Sequence, residues 1–399
     1  MIKRLRIRNY LSLKEVDLEL GPRNLLVGPN KSGKSNLIDC LRFLTTMPVG
    51  GLKTAFMDRN GFGEVLWKGP GDPHISLGLI YEMPEHLSPA KKLYEYEISI
   101  RGSHQTGLIA VESERLDVVI GDEKTTLIDL KNGQGKLLHV NGQDAVLTPI
   151  DPSNSALESN VPNWEASTFK AMITMSRFYR LIPQHMKQPN AAVRQQFLNQ
   201  TGDNFSSWFM TLQGAYPNEF KRIKQVAVDV LPGLEELLTP PTQFGTTFVS
   251  TRERGLRGPI TIWRMSDGEI MFLALLSLIF APGDLGAPLY CIEEPENYLH
   301  PKLIEVLAET LIQRQKELGS RIAQIIATTH STWLINQFSL DELLAVVNRE
   351  GATSFQRPGS REYLKKILES GDLNIGDLFY SGALEEPNEN DRTDRGRPL

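Results

Sequence analysis

The chain has 399 residues, 40% of them hydrophobic, and a formal charge of −5 at pH 7. It exceeds the size one core usually serves, so a main domain with large insertions or a second lobe is expected. The negative balance excludes a surface devoted as a whole to nucleic acid and leaves only local basic stripes, while Cys40 and Cys291, both in apolar segments, supply neither a disulfide framework nor a C-x-x-C metal pair, so the chain reads as intracellular and reduced.

Residues 2 to 8 and 13 to 20 alternate apolar with charged residues, as half-buried antiparallel strands do, and the opening lacks the apolar core of a signal peptide. "NLLVG" (24 to 28) is a continuously apolar, buried strand. After a glycine-rich turn, Lys34 to Thr45 carries Leu37, Ile38, Leu41 and Leu44 at helical spacing. From 75 to 150 short strand-like runs such as "HISLGLIYEM", "LYEYEISIRG" and "LDVVIG" alternate with turn residues and predict a β-rich lobe. Residues 163 to 240 predict helices, notably over "RQQFLNQTGDNFSSWFMTLQ" and "EFKRIKQVAVDVL", with no sustained heptad.

From 260 to 350 the order is strand "ITIWRM", helix Glu269 to Phe280, strand "LYCIEE", a helix over 301 to 318, strand "IAQIIATTH", then a helix and strand "LLAVVN". These proportions suggest a parallel βαβ unit. The longest apolar run, Ile270 to Ala281, is short of the roughly 20 residues that span a bilayer, so a soluble protein without membrane contact is expected. Residues 385 to 399 are polar and read as a disordered tail.

"GPNKSGKS" matches the phosphate-binding loop G-x-x-x-x-G-K-S/T and lies between a buried strand and a helix, as its mechanism requires. Small residues let backbone amides close round an anion where unpaired N–H groups and the helix dipole favour negative charge. The candidate ATP-binding stretch is Gly28, Pro29, Asn30, Lys31, Ser32, Gly33, Lys34, Ser35 and Asn36. Lys34 reaches for the terminal phosphates and Ser35 for Mg²⁺. Lys31 either adds charge to the phosphates or points to solvent, and an exposed turn favours the solvated reading.

"CIEEPENYLHP" puts Glu293 and Glu294 at the end of a buried strand, before a proline that stops it. Successive strand residues face opposite sides, so the two acids differ in role: one supports Mg²⁺, the other polarises the attacking water. His330 ends the next predicted strand, where open α/β sheets place ligands, and its imidazole can donate to a terminal phosphate. "RMSDGE" (264 to 269) reads on its own as a helix start capped by Ser266 or Asp267.

The ordered set resembles the ABC-type ATPase heads of the RecF, SMC and OLD-nuclease superfamily, especially the stand-alone bacterial AAA15-type, RecF-like ATPases. The opening strands and "NLLVGPNKSGKSNLID" are similar to the family's Walker A region, "MSDGE" to its shortened signature, "CIEEPENYLHP" to Walker B and D-loop, and "ATTHS" to its switch histidine, over roughly residues 1 to 68 and 258 to 350. The resemblance implies an α/β fold, an ABC-type P-loop head with inserted β-rich and helical lobes: head residues 1–70 and 245–384, β-rich lobe 75–150, helical insertion 155–240.

It also implies ATP and Mg²⁺ as cofactors, Glu293 as the Walker B acid, Glu294 as the general base and His330 as the γ-phosphate switch. Ser266 and Gly268 would then contact the nucleotide of a second copy, giving a homodimer with two ATPs sandwiched between heads. Glu293 stands where many relatives have Asp, and no Q-loop glutamine is assigned, "GFGEVLW" (61 to 67) occupying that region. The residues after His330 are too few for a Toprim domain, so no intrinsic nuclease is expected.

Two roles follow for a cytoplasmic ATPase of this kind: a sensor and scaffold for a separately encoded effector, favoured and placed in phage defence, or an ATP-gated DNA clamp of repair and recombination. For the second, Arg4, Arg6, Arg8, Arg252, Arg254 and Arg257 are the candidate phosphate contacts.

Overall fold

The computed structural model describes residues 1–71, 73–88, 90–103, 107–146 and 149–385. The expected tail lies, from residue 386 on, outside them. The chain divides into two compact units: Met1–Ser176 with Gln324–Ile326 and Ser339–Leu399, and Arg177–Ala323 with Ala327–Phe338.

In the first unit the opening strands Ile2–Tyr10 and Leu13–Glu19 form a hairpin. Leu5, Ile7, Val16 and Leu18 share one buried face with charges between them, as period-two patterning demands, while Leu13 is buried beside Tyr10. The hairpin heads an eight-stranded antiparallel sheet that continues through His74–Glu82, Lys92–Gly102, Ile109–Ile120, Glu123–Lys131, Gln134–Leu138 and Asp144–Val146. The strand-like texture of 75 to 150 is therefore all one sheet with the hairpin.

The helix Glu165–Thr174 lies on that sheet, with Phe169 stacked 5.4 Å from Tyr94 and 5.5 Å from Tyr96. Glu114, wholly buried, accepts from Tyr96 Oη, Ser155 Oγ and the Ala156 amide, pinning the segment after the sheet. Four lone-pair sites with three donors make this a satisfied buried carboxyl.

The continuously apolar strand Arg23–Val27 is buried on both faces and pairs in parallel with Leu343–Arg349, which pairs antiparallel with Ala352–Gln356. The helix that follows, Lys34–Gly50, buries Leu37, Ile38, Leu41, Phe43 and Leu44. Phe43 meets Tyr10 at 5.7 Å and Phe56 at 4.9 Å, both edge-on.

In the second unit the strand Arg177–Tyr179 pairs in parallel with Leu289–Glu293. The helix Asp267–Phe280 is apolar on nearly every face and correspondingly buried. It packs against the helices Pro217–Val230 and Pro301–Leu318. A three-stranded antiparallel sheet, Leu234–Leu238, Ser250–Glu253 and Ile260–Thr261, completes the unit.

Two expected elements differ. The helical period over 194 to 213 yields a helix only from Phe205 to Ala215. Gly202 turns the chain at φ +81°, and the Asn204 side chain accepts from the Asn199 amide and donates to Phe197 O, bonds that compete with a helix. "ITIWRM" is a strand for Ile260–Thr261 only; Ile262–Arg264 form a 3₁₀ turn that buries Ile262 and lays Trp263 on Phe248, ring centroids 4.9 Å apart.

Candidate functional site

The phosphate loop belongs to the first unit. Val27 delivers the chain to Gly28 at φ +152°, where a Cβ would lie 2.3 Å from Val346 O, and Gly33 at φ +111° would put one 2.1 Å from Thr353 Oγ1. Both positions require glycine, by conformation and by space. The loop is held from behind by a relay: Ser12 Oγ accepts from Asn36 Nδ2 at 2.6 Å and donates to Thr353 Oγ1 at 2.6 Å, which donates to Ser32 O at 2.8 Å. The Thr353 amide closes it on Ser12 O at 2.7 Å. Ser12 and Thr353 are functional supports that local reading misses, because their partners are hundreds of residues apart in the chain.

Lys34 is buried, and its Nζ donates to Gly28 O at 2.8 Å and Pro29 O at 2.9 Å, so the ammonium is folded over the loop's own carbonyls. Lys31 is exposed, at φ +64°, and matches the solvated alternative. Pro29, Asn30 and Ser35 are exposed and Asn36 half-buried.

An anion fits this loop. The helix Lys34–Gly50 starts from Gly33 with no side-chain cap, which leaves its positive end without the oxygen a cap would supply. Ser32 Oγ is buried with no hydrogen-bond partner among the described residues. Among those residues no group of three or more His, Cys, Asp or Glu forms a metal cage. Ser35, exposed in the first turn of the helix Lys34–Gly50, offers one hydroxyl oxygen of the hard kind that Mg²⁺ takes beside water and phosphate oxygens.

The second unit brings Glu293, Glu294 and His330 together. The strand Leu289–Glu293 ends at the first acid. Glu294 has left the strand: it sits at φ +47°, its amide donating to Thr328 O at 3.0 Å and Thr328 Oγ1 at 3.2 Å. The two acids therefore diverge through a left-handed turn, and not through the strand alternation expected of them. The Glu294 carboxylate accepts from Asn297 Nδ2 at 2.8 Å and lies 3.9 Å from His330 Nε2. A left-handed glutamate costs roughly 1–2 kcal/mol and belongs to the kind of strain found at working sites.

Glu296, two residues on, is a further acid that the sequence reading passed over although it stands in "EEPEN". Its Oε1 accepts from Thr329 Oγ1 and from the His330 amide, while Oε2 is buried without a partner among the described residues. Burial pushes this carboxyl above its ordinary range, against the pull of those hydrogen bonds.

Ser266 caps the helix Asp267–Phe280: its Oγ accepts from the Glu269 amide at 3.2 Å, and the Glu269 carboxylate returns to the Ser266 amide at 2.7 Å. This capping box starts the helix two residues before the expected Glu269. Asp267 is held by Lys187 at 2.6 Å and Gln184 at 3.1 Å. Gly268 is packed on the acid turn, since a Cβ there would lie 2.8 Å from Tyr298 O.

Five of the six arginine candidates for DNA carry acids beside them. Arg4 grips Asp17 through two bonds at 2.6 and 2.7 Å, Arg6 lies 3.9 Å from Asp17 and Arg8 3.0 Å from Glu15. Arg252 pairs with Glu236 and Arg254 with Glu235. Part of this positive charge is therefore offset in place, with Asp17 shared between Arg4 and Arg6. "GFGEVLW" is in part the short helix Phe62–Val65.

The family described as "AAA domain, putative AbiEii toxin, Type IV TA system" matches residues 23–336. The chain belongs to this AAA-domain family. No curated protein matches the sequence. Among solved structures, the SMC head bound to the C-winged helix domain of ScpA is 15% identical at a TM-score of 0.56, covering 89% of this chain and 97% of that one. The Smc head domain with an extended coiled coil, bound to the C-terminal domain of ScpA derived from Pyrococcus furiosus, is 14% identical at 0.51, covering 92% and 98%. At such identities the likeness is one of fold, and it bears out the α/β, ABC-type P-loop ATPase head. Among the described residues no helix is long and apolar enough to cross a membrane.

Proposed function

We propose that the protein binds ATP with Mg²⁺ and hydrolyses it in a homodimer, its ATP state serving as a sensor and scaffold for a separately encoded effector, in phage defence. Lys34 and the loop Gly28–Asn36 would take the phosphates, and Ser35 and Glu293 would hold Mg²⁺, which would supply charge opposite to that of the phosphates. Glu294 acts as base toward water and His330 donates to the γ-phosphate. Ser266 and Gly268 serve the nucleotide of the other copy.

The observation that carries the reading is the turn at Glu294. A glutamate held left-handed, steadied by Asn297 and 3.9 Å from His330, is an arrangement that a solvated strand end has no reason to keep. The family's description names a toxin and a toxin–antitoxin system, and the SMC heads of like fold are bound to domains of ScpA. Both support a head that works through a partner. The ion pairs at Arg4, Arg8, Arg252 and Arg254 weigh against a DNA clamp.

The deciding experiment is light scattering of Glu294→Gln with ATP. The variant is expected to bind ATP, turn over slowly and accumulate as a dimer; a monomer at saturating ATP would remove the role of Ser266 across copies.

A further inference from the structure

We infer that Glu296 is a positioning residue for His330, acting as a brace between the acid turn and the turn that carries the histidine. The inference rests on the hydrolytic reading above. Glu296 stands between the strand Leu289–Glu293 and the helix Pro301–Leu318, on the same turn as Glu294. Its Oε1 takes two donors from the neighbouring turn, the Thr329 hydroxyl and the His330 amide. The Thr329 oxygen in turn accepts from the Ser331 amide at 2.9 Å. One carboxyl oxygen thus fixes the backbone on both sides of His330.

The two acids of this turn divide the histidine between them. Glu294 lies beside the imidazole, 3.9 Å from Nε2, and Glu296 holds the amide of the same residue at 3.2 Å. Register between base and histidine is therefore set by a group that touches no reacting atom. The arrangement has a cost, since Glu296 Oε2 is buried without a partner among the described residues. Because Oε1 alone takes both donors, the brace requires an acceptor oxygen at this position rather than a charge.

The test is steady-state ATP hydrolysis by the full chain, with nucleotide affinity measured separately. Glu296→Ala is expected to lower kcat about 30-fold with affinity changed less than about threefold, and Glu296→Gln, which keeps the acceptor oxygen, to restore most of the rate. Combined with His330→Ala, the alanine variant should add less than about twofold to the loss, because both act through one group. Should Glu296→Ala fail to fold, Thr329→Val takes its place: a loss of about fivefold, absent in the His330→Ala background, is expected. Wild-type kcat in these variants, multiplying losses with His330→Ala, or a Gln variant as impaired as Ala would each overturn the brace. Normal turnover by Glu294→Gln would instead overturn the hydrolytic reading and the inference with it.

Discussion

Two turns leave buried strands in this protein, and they solve opposite problems. After Val27 the chain enters positive φ at Gly28 and Gly33, where backbone carbonyls and Thr353 crowd any Cβ. After Glu293 it enters positive φ at Glu294 and Tyr298, where side chains are kept despite the conformation. On the proposed reading the first turn leaves room for a large anion by dropping side chains at Gly28 and Gly33, and keeps one at positive φ only at Lys31, which is exposed. The second must aim one, so it bears the strain of keeping it. On the proposed reading, binding and chemistry separate along the chain by whether a turn gives up its side chain or keeps it.

Substitutions can break this contrast. Glu294→Gln should lower kcat by about 10²- to 10⁴-fold while leaving nucleotide affinity nearly intact, whereas Lys34→Ala should lower affinity by about 100-fold through loss of charge-assisted bonds to phosphate; stopped-flow binding and turnover assays separate the two. Gly33→Ala should destabilise the first unit by about 3 kcal/mol or more, through both φ and contact with Thr353, read by chemical denaturation. Glu294→Gly is the mirror experiment. It should leave stability unchanged or raise it by up to about 1 kcal/mol while abolishing turnover. If it destabilises as Gly33→Ala does, the two turns are not opposites.

The smallest effect concerns a carboxylate that only stabilises. Asp117 is buried in the eight-stranded sheet; burial opposes its charge, but hydrogen bonds from Arg115 at 2.9 Å, Thr126 at 2.7 Å and Lys124 hold its carboxyl below the usual range. A folded-state pKa below the unfolded one gives stability that is present above the unfolded value of about 3.9 and lost as pH falls through the folded one. Asp117→Asn should therefore lower Tm by a few degrees at pH 7, and the gap to the parent should close as pH falls below about 4. Thermal melts at several pH values check this.

Much of the fold was legible because its signals are local. Alternation marked the hairpin Ile2–Tyr10 and Leu13–Glu19, continuous apolarity marked Arg23–Val27, and the helix 301 to 318 was found to the residue. Periodicity misled over 194 to 204, where Asn204 spends its amide on the backbone. It misled again at Ile262, whose burial comes from a turn rather than a strand. At the site, the glycine loop and the acid pair could be named from spacing. Ser12, Thr353 and Glu296 could not, because their roles exist only once distant segments meet: Thr353 is read as a loop support through Ser32 O, and Glu296 through the His330 amide.

The packing of Gly268 on Tyr298 O bears on how the head would feel a neighbour. With no side chain between them, the start of the helix Asp267–Phe280 lies directly against the turn that follows Glu294, so a shift of one bears on the other. In the proposed homodimer such a linkage would let contact with the other copy reach the turn of Glu294 directly, and its departure release it.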